Sequence, residues 1–315
     1  MQFLKVLIDL LLLCLIVSIV NCIECPVYCD CNSSSIECNE GDEQVSCSYY
    51  DAKNRITLKC IGVNSSGLEL LPNGFMSKWI NEPMSDLEIA DCALPVNKTI
   101  ANLMENSINI VLMKLNFKKF EDLEPYLFQN LNGFKIIELS CSESIELKNN
   151  SLSYASQLEE LRLYSNHSIK INGFNLNIKS LSVSQTYKVY KIKFNVTSIN
   201  ELDLKHFKCN GCDLAELSAG MTSGFKQLQT LELINCGMTQ LTESFFIHSK
   251  NINWINLSGN TIKSLDDNLF KAQQGLTSLN LNNNQISNIS ASSISNIASL
   301  RILKLSYNMI TNIHE

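Results

Sequence analysis

The chain has 315 residues, 45% of them hydrophobic and 18% charged, which is ample for a continuous core. Its net charge of −6 argues against a binder of nucleic acid or of anionic membrane. Four scattered histidines (His167, His206, His248 and His314) and only 12 glycines leave no pattern for nucleophilic catalysis or a phosphate loop, so no enzyme, cofactor or metal is expected.

Residues 1–22 combine Lys5 with a short apolar run from Leu10 to Val20. A bilayer span needs ~20 residues, so this reads as a secretory signal peptide, with an uncleaved anchor as the alternative. A cysteine-rich unit follows over 23–83, with Cys25, Cys29, Cys31, Cys38, Cys47 and Cys60, and Cys92 comes just after it. In a secreted chain these cysteines predict disulfides, their pairing left open. Zinc at Cys29 and Cys31 is the rival reading, and no His lies nearby to support it.

From 84 onward a pattern recurs: apolar residues at positions one, four and six, then Asn or Cys at nine. Met84, Leu87, Ile89 and Cys92 open it. Ile110, Met113, Leu115 come next, with Lys118 at nine, then Phe134, Ile137, Leu139 with Ser142. Leu158, Leu161, Leu163 and Asn166 make the fourth copy. The spacing then loosens, with Ile178, Leu181, Val183 and Ile199, Leu202, Leu204. A step of twenty-nine residues to Leu228 contains Cys209 and Cys212, read as a structural disulfide rather than a redox motif. This irregular middle is expected to alter the bend of the coil or bulge a loop. Four copies at 24-residue spacing close the chain, beginning at Leu228, Ile252, Leu276 and Leu300 and carrying Cys236, Asn260, Asn284 and Asn308 at nine.

These copies resemble the leucine-rich repeat. The expected fold is an α/β-type solenoid, a horseshoe of about ten repeats over 84–315 with a concave parallel sheet and a cysteine-rich amino-terminal cap. Paired apolar residues two apart point inward on a short strand. The Asn satisfies backbone groups where the chain turns off the strand, and Cys is its small buried substitute. Cys141 and Cys236 are expected to be buried thiols. One repeat cannot bury its apolar side chains alone, so neighbours must stack.

A narrower resemblance lies over 25–103. The C-x-C pair, the IEC and ITLKC segments and the stretch Asp91–Leu103 (DCALPVNKTIANL) look like the cap and first repeat of insect Toll receptors. That resemblance implies an innate-immune and developmental receptor on the cell surface. It implies a Spätzle-like cystine-knot cytokine as extracellular ligand, a receptor homodimer, and further repeats, a membrane span and a TIR domain after Glu315. On this reading the chain is an ectodomain fragment. Another secreted or cell-surface repeat protein, for adhesion, guidance or decoy binding, is the alternative.

Glycosylation sequons fall at Asn32, Asn64, Asn97, Asn149, Asn166, Asn195, Asn256 and Asn288. Asn166 is expected to be a buried ladder residue without glycan, and Asn256 to point from the concave face. Outward positions on the strands are Asp86, Glu88, Ala90; Leu112, Lys114, Asn116; Ile136, Glu138, Ser140; Glu160, Arg162, Tyr164; Ser180, Ser182, Ser184; and Glu201, Asp203, Lys205. A wet face should be polar. Leu112, Ile136 and Tyr164 break that rule on neighbouring repeats, with Lys114, Glu138, Glu160 and Arg162 around them. These seven residues form the expected ligand site. Trp254 and Ile234 suggest a second, later patch.

Overall fold

The computed structural model describes residues 29–31, 35–40, 43–50, 55–61, 85–92, 99–104, 110–117, 123, 125–131, 133–148, 150–171, 178–186, 192–196, 204–214 and 225–314. Three strands come first among the described residues: β1 (Cys29–Cys31), β2 (Ser35–Glu40) and β3 (Glu43–Tyr50). They run antiparallel to one another, and β3 runs antiparallel to β4 (Arg55–Ile61). On its other side β4 pairs parallel with β5 (Asp86–Ala90). The cap sheet therefore passes into the repeat sheet without a break. Ile56 and Leu58 on β4 are as fully buried as the repeat leucines.

The parallel series continues through β6 (Leu112–Phe117), β7 (Ile136–Cys141), β9 (Glu160–Ser165), β11 (Ser180–Ser184) and β13 (His206–Asn210). It ends with β14 (Thr230–Ile234), β15 (Trp254–Asn256), β16 (Ser278–Asn280) and β18 (Ile302–Lys304). Together they make one fourteen-stranded sheet. This is a leucine-rich-repeat solenoid. The inward pairs, such as Leu161 and Leu163 or Leu279 and Leu281, are buried and form a single continuous core.

Among the described residues the return side carries short helices α1 (Ile100–Met104), α2 (Glu243–Phe246) and α3 (Ala291–Ile294) and a 3-10 turn at Pro125–Phe128. Buried Phe246 and Phe270 stack with ring centroids 5.4 Å apart. In the middle, β8 (Ile145–Leu147), β10 (Ser168–Ile171) and β12 (Lys193–Val196) form a second parallel sheet behind the first. Strands β17 (Asn288–Ser290) and β19 (Asn312–His314) pair further on.

The regular coils owe their shape to position nine. Asn260 Oδ1 accepts from Cys236 N–H (2.9 Å) and Met238 N–H (3.2 Å), and its Nδ2 donates to the carbonyls of Leu233 (2.7 Å) and Leu257 (2.8 Å). Asn284 repeats this with Ile262, Leu257 and Leu281. The Cys236 thiol donates to the Cys209 carbonyl at 3.4 Å, the same step back along the chain. A left-handed residue at position eight makes this possible. Asp91, Gly211, Asn235, Gly259, Asn283 and Tyr307 all have positive φ there. The kink turns the next side chain inward.

Two expectations are corrected here. First, Leu204 does not hold position six of the sixth repeat; Ile199 and Leu202, expected ahead of it, fall outside the described residues. Buried Leu204, Phe207, Cys209 and Cys212 take positions one, four, six and nine, and Leu228 follows at the regular spacing of 24 residues. Phe and Cys disguised a regular coil, because any compact apolar side chain fills the inward slots. The outward residues on this strand are therefore His206, Lys208 and Asn210, and Lys205 precedes it, while Glu201 and Asp203 fall outside the described residues. Second, Asn166 is not buried. Ser165 at position eight is, as is Cys141 one coil earlier, while Ser142 is exposed. In these coils the strand runs on to position eight with no left-handed kink, so alternation brings eight inward and nine outward.

Cys60 and Cys92 form a disulfide between β4 and the turn after β5, and Cys209 and Cys212 form one inside the sixth coil. Cys141 and Cys236 are buried thiols. Cys29 lies opposite Cys38 in the backbone register of β1 and β2, and Cys47 opposite Leu58 on β3 and β4. Cys25 and Lys118 fall outside the described residues.

Gly211 gives a direct test of the coil. Its φ is +79°, and a Cβ there would run into the side chain of Gln185, which donates to the Gly211 carbonyl at 2.8 Å. Gly211→Ala should cost about 1–3 kcal/mol, combining the left-handed penalty with the clash. Urea unfolding followed by near-ultraviolet signals would show it as an earlier midpoint. Gly275→Ala, which has open space and no positive φ, is the matched control.

Candidate ligand-binding face

Alternation on the parallel strands sorts the outward residues into three rows across the sheet. The first row runs Arg55, Asp86, Leu112, Ile136, Glu160, Ser180, His206. The second runs Thr57, Glu88, Lys114, Glu138, Arg162, Ser182, Lys208, Glu232. The third runs Lys59, Ala90, Asn116, Ser140, Tyr164, Ser184, Asn210, Ile234.

The seven residues expected at the site therefore fall in all three rows. Leu112 and Ile136 are direct cross-strand neighbours, half-buried side by side, with Glu160 next in line. Tyr164 lies two rows away, beyond Glu138 and Arg162, and does not join them. A residue that sequence reasoning passed over does. Val111 precedes β6, is 40% exposed, and extends the apolar pair to the rim of the face. Its only sequence signal was an apolar side chain at position two, which the pattern leaves unconstrained.

The charges between these rows are already matched. Lys114 Nζ lies 3.1 Å from Glu138, whose other oxygen is 3.6 Å from Arg162. Arg162 Nε donates to Glu160 at 2.8 Å. Arg55 stands 3.6 Å from Asp86 and 3.7 Å from Glu88, and Asn116 Nδ2 donates to Glu88 at 2.9 Å. From β4 to β9 the rows hold Arg55, Lys59, Lys114 and Arg162 against Asp86, Glu88, Glu138 and Glu160, so four charges balance four. The hydrogen bond to Glu160 raises the Arg162 pKa, and burial followed by the Glu138 carboxylate raises that of Tyr164. Each partly exposed pair stabilises the fold by only ~0–1 kcal/mol. Their effect is to leave an apolar spot on a neutral lattice.

At the rim beside Val111, Glu159 sits between Lys135 (3.2 Å) and Lys179 (3.3 Å). Their hydrogen bonds hold the Glu159 carboxyl below the usual range. The suggested second patch does not form: Trp254 stands in the first row and Ile234 in the third, with the Glu232–Asn256 row between them. Asn256 stands in the second row as expected, is 8% exposed, and its Oδ1 accepts from Ser258 N–H at 3.1 Å. Asn195 lies on β12 and exposed Asn288 opens β17, whereas Asn32, Asn64, Asn97 and Asn149 fall outside the described residues. Among the described residues no three His, Cys, Asp or Glu side chains gather to hold a metal ion, and no helix is long and apolar enough to cross a membrane.

A face of parallel strands over an Asn and Cys ladder defines the class, a leucine-rich-repeat solenoid. The family model described as leucine rich repeat matches residues 274–315. No curated protein matches the chain. Among solved structures it is similar to the Toll receptor of the Drosophila Toll–Spätzle complex, at 12% identity and a TM-score of 0.36 over 90% of this chain and 54% of that one. The glycosylated form of that complex gives 13% and 0.35, over 92% of this chain and 55% of that one. The TLR13–ssRNA13 complex gives 18% and 0.44, over 72% of this chain and 40% of that one. The chain spans about half the length of the Toll chains.

Proposed function

We propose that the chain is the amino-terminal part of the ectodomain of a Toll-family receptor and binds an extracellular, Spätzle-like cystine-knot cytokine on its concave face. The observation that carries the reading is the Val111, Leu112 and Ile136 spot, three neighbouring apolar groups on a charge-balanced sheet. A neutral lattice gives little long-range steering, so affinity would come from desolvating that spot against an apolar loop of the ligand. The motif over Asp91–Leu103, the sequons and the two disulfides among the described residues agree with an extracellular receptor. Activity of the whole receptor, including its homodimer and membrane anchoring, belongs to this proposal.

The test is titration calorimetry of the secreted chain with the matched cystine-knot ligand. Ile136→Asp should weaken binding about tenfold or more, which corresponds to ~1.4 kcal/mol. Tyr164→Ala, two rows away, should weaken it less, and Ser182→Ala should leave it within about twofold. Equal affinities across the three, with circular dichroism unchanged, would remove this spot from the ligand site.

A further inference from the structure

We propose that one margin of the concave face, running from β11 to β18, binds a linear anionic glycan. The proposal goes beyond the cytokine reading and lies on later coils than Val111, Leu112 and Ile136. Two lines of residues build this margin: the residue just before each strand and the first outward residue on it. Backbone hydrogen bonds set the first line. Lys205 N–H donates to the Lys179 carbonyl and Gln229 N–H to that of Lys205, both at 2.8 Å, and the same step recurs through Asn253 and Thr277 to Arg301. Strand register sets the second line, from Ser180 and His206 through Thr230 to Trp254 and on to Ile302. Neither line holds an Asp or Glu on β11, β13, β14, β15, β16 or β18, although acids outnumber bases 31 to 25 in the chain.

The cations on this margin are open to a ligand. Lys205, His206 and Arg301 are exposed, and among the described residues no carboxylate pairs with Lys205 or Arg301. Lys179 shares Glu159 with Lys135, so along Lys135, Glu159, Lys179 and Lys205 three cations meet one carboxylate. Adjacent strands lie ~4.8 Å apart, which puts Lys179 and Lys205 one rung apart and Trp254 ~10 Å beyond Lys205. A chain laid along the margin sets acid groups against the two ammonium groups and a sugar ring against the half-buried Trp254 indole. Amides and a hydroxyl at Gln229, Thr230 and Asn253 lie between them and match sugar hydroxyls. Single-stranded nucleic acid is less well served, because it stacks successive bases on several aromatic rings and this margin has one.

The experiment is calorimetric titration of the secreted full chain with a size-defined heparin oligosaccharide, with hyaluronan, with neutral dextran and with single-stranded DNA. Heparin or hyaluronan should bind, dextran should not, and added salt should weaken binding. Sulfate is the acid group read if heparin binds more tightly, and carboxylate if hyaluronan does. Lys205→Glu should weaken binding about tenfold, the loss of one charge-assisted contact. Lys263→Glu makes the same charge change on an exposed residue off this margin and should leave binding within about twofold. Trp254→Thr should weaken binding about fivefold, and Trp254→Phe, which keeps a ring, by less. Thermal melts of each variant separate lost binding from lost fold. Binding of neither anionic glycan, or equal losses for Lys205→Glu and Lys263→Glu, overturns the proposal. DNA bound more tightly than either glycan reassigns the margin to nucleic acid and overturns it as well. None of these outcomes bears on the cytokine titration with Ile136→Asp, so the two readings fail separately.

Discussion

Leu281→Asp should unfold the last coils while the first ones stay folded. Leu281 is fully buried, between the inward leucines of the coils on either side. The substitution removes its packing, costing ~2–5 kcal/mol, and places a carboxyl where nothing pairs with it. The total should exceed about 5 kcal/mol, more than a local stack of coils can lose. A solenoid holds each coil only through its neighbours, so the loss stays regional. Hydrogen exchange should show lost protection in β15, β16 and β18 and native protection in β6, β7 and β9. Uniform protection at parent values would contradict the assignment of these coils.

Asn260→Ala should be nearly as damaging, although it deletes only a few atoms. It strands the N–H groups of Cys236 and Met238 and the carbonyls of Leu233 and Leu257 inside the core. Each buried orphan costs ~1–3 kcal/mol, and relaxation recovers part, so about 3–5 kcal/mol is expected. Asn260→Cys should cost less, since a thiol already serves this position at Cys236. A thermal melt ranking parent, then Cys, then Ala would support the ladder. Equal melts for Ala and Cys would mean that the carbonyl contacts contribute little.

The fold was readable in the sequence because its code is redundant. Position nine alone repeats as Cys236, Asn260, Asn284 and Asn308, and an inward pair accompanies each copy. Where one code word was replaced, the reading slipped. Leu204, Phe207, Cys209 and Cys212 obey the same spacing, but Leu202 and Leu204 offered a false frame five residues earlier. The Asn166 and Ser165 exchange was less visible. It depends on whether position eight is left-handed, and Ser165 differs from Asn235 or Gly259 in preference only. For the ligand face, which strand each residue occupied was legible. That Tyr164 stands two rows from Leu112 and Ile136 was legible too, once strands were numbered. That Glu138 satisfies Lys114 and Arg162 together was not, because side-chain pairing follows from rotamers rather than spacing.

The sheet formed by β8, β10 and β12 has a consequence for how the molecule arcs. Strands stack every ~4.8 Å, whereas packed helices need ~8–10 Å. A coil with a strand in front and a helix behind is wedge-shaped, and a pile of wedges closes toward a ring. Coils with strands on both sides have equal inner and outer arc lengths, so they pile as parallel slabs. The coils of β7, β9 and β11, which carry these strands behind, are therefore expected to stack with little bend. Such stacking would hold Ile136 and Glu160 on an open, nearly flat plane, suited to the broad side of a ligand rather than to an inserted tip.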